Sequence, residues 1–265
     1  MNNTQNFKTW KKKIALVCFA KNEDLYLQEW IDYHLKLGFD DIHIFQNDWR
    51  FNNPKKNKRV YFHQYDGKSF DNYVSDPSPL WVKNIQARCY TEFSKNYYND
   101  YEWAAFFDVD EFLVLKQTND VKEFIKNYDS ERCLIINWAM FGDNGITDFD
   151  ETNTSVIQRF TKRQDSMSGQ FKCISKLTPN LKHVIHWSDD LWTDPDFNRG
   201  GGPYNKSGNF NKSQLNHYFT KTFPEFLKKI ERGNACHGKR PVSNFTENNF
   251  NNIEDTFAKD FINNN

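Results

Sequence analysis

A cluster of acidic residues stands inside an apolar stretch of this sequence. Residues 103–107 and 112–115 are apolar, and between them lie the carboxylates Asp108, Asp110 and Glu111. Apolar flanks predict burial, and a buried carboxylate is costly unless a cation or hydrogen bonds compensate its charge. Mg²⁺ and Mn²⁺ prefer oxygen ligands and are often held by one or two carboxylates together with substrate phosphates. The stretch therefore predicts a metal–diphosphate site at the end of a core strand.

The spacing of the two aspartates favours a ligand that both of them contact. In extended backbone Asp108 and Asp110 leave the same face, where their mutual repulsion favours a divalent cation beside them. A carboxylate pair after a strand is also common in turns and helix caps, which carry no chemistry. An EF-hand is excluded, because its loop requires Gly at the sixth position and the sixth residue from Asp108 is Leu113.

The composition indicates a globular protein with no electrostatic reason to bind nucleic acid. The chain has 265 residues, enough for one large α/β domain or for a core domain with a smaller appendage. Its formal net charge is zero, so no basic field attracts a phosphate backbone. Aromatic residues make up 17% of the chain, which suits aromatic walls around a sugar or base as well as a bulky core.

Cysteine usage and the lack of export signals favour a cytoplasmic protein. The cysteines are widely spaced, odd in number and mostly within apolar runs, which is typical of reduced core thiols; they are Cys18, Cys89, Cys133, Cys173 and Cys236. Residues 1–13 are unlike a signal peptide, and no apolar stretch approaches the roughly 20 residues that span a bilayer. Basic clusters at 11–13 and 55–59 suit peripheral contact with an anionic membrane surface, although a solvated loop explains them more simply.

Hydrophobic periodicity predicts alternating strands and helices from about residue 13 to 140. The predicted strands are 13–20, 41–45, 59–63, 103–107 and 133–138, and the predicted helices are 24–37, 80–98 and 119–128. Short joints between them imply parallel βαβ units, and hence an open α/β sheet. Ligands of such sheets bind outside the carboxyl ends of the strands, where polar clusters fall at 20–23, 46–48 and 108–110.

The second half of the chain has a different pattern. Short strands are predicted at 155–160, 171–177 and 182–187, and the Gly-, Pro- and Asn-rich residues 194–208 are predicted to form a loop. A capping box at Thr222 and Glu225 opens a helix over 225–232, which Gly233 closes. Beyond about residue 239 the chain is polar and Asn-rich, which favours a loose tail.

Several segments, taken in order, carry a resemblance that no single segment would establish. They read CFAKNE at 18–23, YLQEWIDYHLKLGFD at 26–40, IFQND at 44–48, FFDVDEF at 106–112, NWAMFG at 137–142, FKCI at 171–174 and LNHY at 215–218, followed by Lys221 and by Arg232-Gly233. Together they cover roughly residues 13–233. In this combination the chain resembles glycosyltransferases of the GT-A fold, in particular the group around glycosyltransferase families 2 and 92.

The resemblance implies an α/β fold of the GT-A type. This is an open, mostly parallel twisted sheet flanked by helices, with a smaller acceptor-side region towards the C terminus. Residues 13–140 would form the half that binds a nucleotide sugar, and 141–238 the acceptor-side region of the same domain. Residues 239–265 would form a polar tail.

The resemblance also assigns site residues. In such enzymes the Asp-x-Asp motif binds a metal, Mn²⁺ or Mg²⁺, that bridges the donor's diphosphate and helps it to depart. This role falls on Asp108 and Asp110, with His217 completing the metal shell. The side chains that would face the nucleotide are Lys21, Asn22, Glu23, Asp48, Gln86, Asp108 and Lys221.

The proton acceptor of an inverting transfer is harder to place. A carboxylate on the acceptor side must deprotonate the attacking hydroxyl, and the acidic residues that follow the metal motif are Asp143, Asp189 and Asp190. Each of them is also an ordinary loop residue. His183 and His186 lie three apart in a predicted strand and would point to opposite faces, so that one of them, in our interpretation His186, reaches the site.

The resemblance therefore predicts a metal-dependent glycosyltransferase that moves a sugar, with galactose as one candidate, from a UDP-sugar to a glycan or glycolipid. It implies inversion, and an acceptor such as a lipopolysaccharide or capsule intermediate, built on the cytoplasmic face of a membrane.

Two alternatives to a glycosyltransferase stay open. A haloacid-dehalogenase-like phosphotransferase also has Asp-x-Asp after a strand, although it needs the motif on the first core strand. A non-catalytic carbohydrate-binding module would bind glycans without Asp108 and Asp110.

Overall fold

The fold is seen in a computed structural model that describes residues 13–52, 54–66, 84–188, 191–233 and 240–264. Within those residues, strands and helices alternate through the first half of the chain, and a mixed sheet runs through the molecule. Apolar side chains form two core clusters around this sheet. The predicted α/β class is confirmed by this arrangement.

A parallel βαβ unit opens the fold, as the hydrophobic pattern predicts. Strand β1 (Ile14–Ala20) and strand β2 (Asp41–Asn47) pair in parallel, and helix α1 (Leu27–Lys36) connects them. Gly38 follows the helix with a φ of +100°, a conformation that glycine adopts without strain. Strand β3 (Val60–Tyr65) then pairs in parallel with β2.

Helix α2 and strand β4 lead to the acidic motif. Helix α2 (Ile85–Tyr97) starts at Asn84, whose side chain accepts hydrogen bonds from two backbone N–H groups of the first turn. The predicted start of this helix, residues 80–83, lies outside the described residues. Strand β4 (Trp103–Phe106) pairs in parallel with β1.

The acidic motif occupies a turn between two buried strands and is not extended. Strand β4 ends at Phe106, strand β5 (Glu111–Leu115) follows, and the Glu111 N–H donates to the Asp108 carbonyl at 3.0 Å. The predicted extended backbone is therefore wrong, because the chain turns here to enter a second ladder. The flanks on both sides are buried, as their apolar residues predict.

The middle of the chain adds strands in both directions. In chain order its elements are helix α3 (Val121–Lys126), strand β6 (Cys133–Met140), helix α4 (Val156–Arg159), and strands β7 (Lys162–Arg163), β8 (Phe171–Lys176), β9 (Trp192–Thr193), β10 (Arg199–Gly200) and β11 (Ser213–His217). Strand β8 lies antiparallel between β4 and β6, while β11 pairs in parallel with β6 and antiparallel with β5. The main sheet has the order β10-β9-β6-β8-β4-β1-β2-β3, and its N-terminal half is parallel.

Two strands predicted in the second half are wrong. The predicted strand 155–160 is helix α4, because the Ser155 hydroxyl caps a helical turn by accepting from a backbone N–H. Residues 182–187, all described, contribute an isolated bridge at His183 and no strand. The predicted loop 194–208 contains the short strand β10, which pairs with β9.

The C-terminal segment packs onto the fold, so the predicted loose tail is wrong. Its elements are helix α5 (Phe223–Arg232), helix α6 (Asn244–Asn248), strand β12 (Ile253–Glu254) and helix α7 (Phe257–Asn263). Strand β12 pairs with β7, and the Phe261 ring lies edge-on to Tyr33 at 5.2 Å. A Cβ at Gly142 would lie 2.4 Å from the Phe250 carbonyl oxygen, so only glycine allows this approach. Phenylalanines scattered among the asparagines supply the apolar contacts that the polar composition conceals.

The described cysteines, Cys18, Cys89, Cys133 and Cys173, are buried and free. Cys236 lies outside the described residues. In the part of the chain that the structure describes, no helix combines the length and the apolar character needed to cross a bilayer.

Candidate functional site

A cavity of about 490 Å³ opens where β1, β2 and β4 end. Many of the residues that the sequence predicts for the site line it: Lys21, Glu23, Gln86, Asp108, Asp110, His186 and His217. Residues far apart in sequence meet here because the carboxyl ends of parallel strands lie at one edge of the sheet.

Asn22, Asp48 and Lys221 lie beside the cavity without lining it. All three have left-handed backbone, with φ of +52°, +47° and +53°. Residues other than glycine are uncommon in that region, and here they mark tight turns after β1, after β2 and before α5. Asn47 lines the cavity in place of Asp48, and the Lys221 ammonium lies over the Tyr26 ring, 4.6 Å from its centroid.

The predicted proton acceptor Asp143 lies away from the cavity. Its carboxylate accepts hydrogen bonds from the Asn249 amide at 2.8 Å, the Asn251 amide at 3.1 Å and the Gly145 N–H at 2.8 Å. It therefore ties the C-terminal segment to the loop after β6, a position that does not suit a base. The other two predicted acceptors, residues 189–190, lie outside the described residues.

Asp108 is held between side chains from two elements. Its carboxylate accepts from the Gln86 amide of α2 at 2.6 Å and pairs with the Lys172 ammonium of β8 at 2.8 Å. Burial by itself raises the pKa of Asp108, but the charge and hydrogen bond of Lys172, together with His217, hold the pKa below its usual range. Lys172 is fully buried, so its ammonium needs a charged partner, and the Asp108 carboxylate provides one.

Glu111 braces the same turn. Its carboxylate accepts from the Asp108 N–H at 2.9 Å and lies 3.8 Å from the Lys172 ammonium. Burial raises the pKa of Glu111, and the neighbouring Asp108 and Asp110 raise it further against the opposing effect of Lys172. Glu111 therefore keeps its proton more strongly than an exposed glutamate does.

Asp110 faces a lysine and a histidine from the C-terminal elements. Its Oδ2 lies 2.5 Å from Lys229 Nζ on α5 and 3.6 Å from His217 Nε2 at the end of β11. The register of β11 on β5 sets His217 opposite Glu111. Burial raises the pKa of Asp110, but Lys229 and His217 outweigh it and hold the pKa well below its usual range. Burial also lowers the pKa of Lys229 to about 8.

Asp110 and His217 are the pair that could hold a metal ion. Two ligand atoms about 2.1 Å from one ion are separated by about 3–4 Å, and the 3.6 Å between Asp110 Oδ2 and His217 Nε2 fits that spacing. Asp108, the third predicted ligand, is turned towards Lys172 and Gln86. No three His, Cys, Asp or Glu side chains among the described residues are placed to hold an ion by themselves. The remaining ligands would be substrate phosphates and water.

The cavity carries a positive surplus. Its lining contains four cations, Lys21, Lys229, Arg232 and Arg240, and three carboxylates, Glu23, Asp108 and Asp110. The Arg232 guanidinium contacts the Glu23 carboxylate and donates to the Lys21 carbonyl at 3.2 Å. Such a lining attracts an anionic ligand and still offers carboxylates to hydroxyl groups or to a cation.

Some buried polar atoms at the cavity have no partner among the described residues. They are Asn47 Oδ1, Trp138 Nε1, His217 Nδ1 and Arg240 Nε. Buried polar groups are nearly always hydrogen-bonded, so unpartnered ones gathered at one cavity mark a place where a ligand or water completes the bonding.

Helix α5 supplies two of the basic groups. Thr222 and Glu225 form the predicted capping box at its start. The Arg159 guanidinium clamps Glu225 with hydrogen bonds of 2.9 and 2.7 Å. Lys229 and Arg232 follow Glu225 by four and seven residues, so the anchored helix presents all three on one face.

Sequence reasoning missed Lys172, Lys229 and Arg232 as partners of the acidic residues. Lys172 had a signal, because it is a single charge within an apolar strand and therefore predicts a buried partner. Lys229 and Arg232 share the helical face of the capping glutamate, which predicts a common direction but not what they meet.

The fold and the cavity define a class: an α/β protein with a polar ligand site, rich in both cations and carboxylates, at the carboxyl ends of its strands. The family model of glycosyltransferase family 92 matches residues 86–261, more than half of the chain. The chain belongs to glycosyltransferase family 92, and the resemblance read from its sequence is thereby confirmed.

A plant protein of the same family is similar to part of this chain. A glycosyltransferase family 92 protein of Oryza sativa subsp. japonica is 24% identical over 124 residues, which are 46% of this chain and 20% of that protein. The chain thus spans about a fifth of the length of this curated relative.

Two solved structures are also similar to part of the chain. The mannosyltransferase Ktr4p of Saccharomyces cerevisiae in complex with GDP has a TM-score of 0.30 and 13% identity over 51% of this chain and 42% of its own. Core-mannan synthase A of Aspergillus fumigatus, in a Mn/GDP form, has a TM-score of 0.28 and 12% identity over 53% and 45%.

Proposed function

We propose that this protein transfers a sugar from a nucleoside-diphosphate sugar to a hydroxyl group of an acceptor. The observation that carries the proposal is the cavity at the strand ends, where the Asp108–Asp110 turn meets the basic face of α5 in a chain of glycosyltransferase family 92. A ligand with an anionic diphosphate and a hydroxyl-rich sugar matches a lining that holds both cations and carboxylates.

The diphosphate would bind against Lys21, Lys229 and Arg232. In the protein alone, Lys229 compensates Asp110 and Arg232 compensates Glu23. These cations already line the cavity, so they can reach a phosphate by small movements. Asn47 and Gln86 line the same cavity and offer amide groups to the nucleoside. Asn22, Asp48 and Lys221 would shape the turns around it.

A divalent ion, Mn²⁺ or Mg²⁺, belongs to the proposal. Asp110 and His217 would hold it, and when bound it supplies positive charge that neutralises the departing diphosphate. Lys229 lies on the same Asp110 oxygen and keeps that carboxylate charged in the protein alone. The finer assignment of Asp108 as a further ligand requires its side chain to leave Lys172.

The family resemblance supports a finer proposal for the substrates. We propose a UDP-linked donor, with galactose as one candidate sugar, and transfer with inversion. The proposed acceptor is a glycan or glycolipid such as a lipopolysaccharide or capsule intermediate, met at the cytoplasmic face of a membrane. Trp138 and Phe219 line the cavity, and aromatic faces of this kind pack well against a sugar ring.

Turnover of defined donors tests the proposal. The full chain is incubated with UDP-galactose, UDP-glucose and GDP-mannose, with Mn²⁺ or with EDTA, and release of the nucleoside diphosphate is measured with and without glycoside acceptors. We expect one donor to be consumed in a metal-dependent reaction, and Asp110→Asn to slow it by about 100-fold or more. Asp148→Asn, an exposed aspartate outside the cavity, is the matched control. Phosphate release from p-nitrophenyl phosphate without turnover of any donor would instead support the phosphotransferase alternative.

A further inference from the structure

The carboxylates of the cavity are all engaged with cations. Glu23 contacts Arg232, Asp108 pairs with Lys172, and Asp110 pairs with Lys229; these pairs join residues from four separate parts of the chain. A carboxylate held by a buried cation is a weak proton acceptor, because the cation stabilises its charged form. The described lining therefore offers no unpaired carboxylate to take the proton of an attacking hydroxyl.

His186 is the lining residue whose geometry does provide a proton acceptor. Its Nδ1 lies 3.2 Å from the Phe171 carbonyl oxygen. A carbonyl oxygen only accepts hydrogen bonds, so Nδ1 carries the proton of the neutral ring and Nε2 carries a lone pair. No hydrogen bond from the described residues reaches Nε2, and the side chain lines the cavity.

The surroundings of His186 keep it neutral and orient it. The Trp138 ring meets the His186 ring at 5.2 Å and an interplanar angle of 70°, and the same indole packs on His217 at 4.3 Å. Trp138 therefore packs against both His186 and His217. Burial lowers the pKa of His186 to about 4; Lys172 and His217 lower it too, while Asp108 and the Phe171 carbonyl raise it. The negative charge of a bound diphosphate would raise it towards neutral pH.

We infer that His186 is the catalytic base that accepts the proton of the acceptor hydroxyl at Nε2. The inference rests on the proposed function. As the acceptor oxygen bonds to the anomeric carbon, the bond from that carbon to the diphosphate oxygen breaks and its electron pair leaves with the diphosphate. The hydroxyl proton passes to Nε2. The Phe171 carbonyl, which accepts from Nδ1–H, stabilises the imidazolium that forms.

Nitrogen-15 NMR of the full chain tests the protonation state without any turnover. The His186 signals are assigned by their loss in His186→Asn. In the wild type we expect a neutral ring protonated at Nδ1, and a pKa that rises when UDP and Mg²⁺ are added. A ring protonated at Nε2, or one that does not respond to the nucleotide, overturns the inference.

Kinetics test the role itself. His186→Asn retains an amide N–H for the Phe171 carbonyl but lacks the Nε2 acceptor, so it preserves the local fold better than alanine. We expect nucleotide affinity within about twofold of wild type and donor turnover slower by about 100-fold or more, with loss of the acid limb of the pH profile. His63→Gln, on strand β3, is the control and should leave turnover unchanged.

The outcomes distinguish a failure of the role of His186 from a failure of the proposed glycosyltransferase activity. Turnover and pH profile retained in His186→Asn, with loss in Asp189→Asn or Asp190→Asn, would overturn the role of His186 and leave the glycosyltransferase standing. A folded wild type that binds no nucleotide sugar would overturn the proposed function, and the inference with it.

Discussion

At the scale of single residues, the charge of the acidic turn depends on Lys172. This lysine is buried in strand β8 and its ammonium lies 2.8 Å from Asp108. A buried ammonium is stable only beside a carboxylate, and removal of either Lys172 or Asp108 leaves the charge of the other uncompensated. The turn that carries the proposed metal ligand is therefore tied to a strand from the second half of the chain.

Loss of this lysine should destabilise the fold. We expect Lys172→Met to cost about 3 kcal/mol, the lower end of the range for a broken buried pair, because part of the Asp108 side chain is exposed. In an Asp108→Asn background the cost should fall by about 1–3 kcal/mol, since the Asp108 charge is then no longer left without its cation. Urea unfolding measures both.

Lys176 on the same strand provides the control for this cycle. It is partly exposed and pairs at the surface, so Lys176→Met should cost less than about 1 kcal/mol. Equal losses from the two lysine variants, or no coupling between Lys172 and Asp108, would show that the buried pair does not stabilise the turn.

At the scale of elements, the anchor of helix α5 is Glu225. Burial alone raises its pKa, but hydrogen bonds from Arg159, Thr222 and Tyr26 outweigh burial and lower the pKa from 4.5 to about 2. The folded pKa lies below the unfolded one, so the stabilisation is present above about pH 4.5 and is lost as the pH falls towards 2. Glu225 lies in the first turn of the helix and Lys229 in the last, so this anchor fixes the start of the helix that carries Lys229 to the cavity.

The anchor gives an acid-dependent stability. The lowered pKa of Glu225 corresponds to about 3 kcal/mol of stability. Glu225→Gln should therefore unfold more easily than wild type at pH 7. The difference between their free energies of unfolding should shrink as the pH falls from 4.5 to 2. Urea unfolding at several pH values measures it, with the exposed Glu151→Gln as control. A difference independent of pH would mean that the carboxylate charge is not what anchors the helix.

Asp143 is a second link between elements. It bonds Asn249 and Asn251 and so fastens the segment whose residues Arg240, Asn244 and Asn248 line the cavity. Asp143→Ala removes these hydrogen bonds, and amide hydrogen exchange should report about 1–3 kcal/mol less protection at 249–255.

The control for this prediction is Asp148→Ala, in the same loop, where the aspartate bonds only its neighbour Thr147 among the described residues. Unchanged protection in Asp143→Ala would show that the C-terminal segment is held by its apolar contacts, such as those of Phe261, without help from the aspartate.

At the scale of the whole molecule, the sequence predicts the strands and helices better than the tertiary contacts between them. The β1–α1–β2 unit follows from apolar periodicity and from Gly38, because both are local signals. The acidic motif follows a core strand, as the sequence predicts, but its backbone turns there. Its partners Lys172 and Lys229 come from β8 and α5, and no local pattern records which distant cation meets which carboxylate.

In the C-terminal segment it is the local structure that the sequence fails to predict. Its asparagines predict a loose tail, yet they act as hydrogen-bonding groups in a packed segment, and Asn249 and Asn251 both bond Asp143. Composition reports average polarity, whereas packing depends on a few apolar residues such as Phe261 at the right positions. The same tertiary contacts remove Asp143 from the set of residues that could act as a base.

The measurement that tests the central claim most directly is the stability of the folded chain against nucleotide sugars, with Mn²⁺ or with EDTA. A ligand at a hundred times its Kd adds about 2.7 kcal/mol to the free energy of unfolding. We predict such a gain with one nucleotide sugar, dependent on the metal, lost in Asp110→Asn and kept in Asp148→Asn. A folded protein that gains no stability from any nucleotide sugar, with or without metal, would contradict the proposed function.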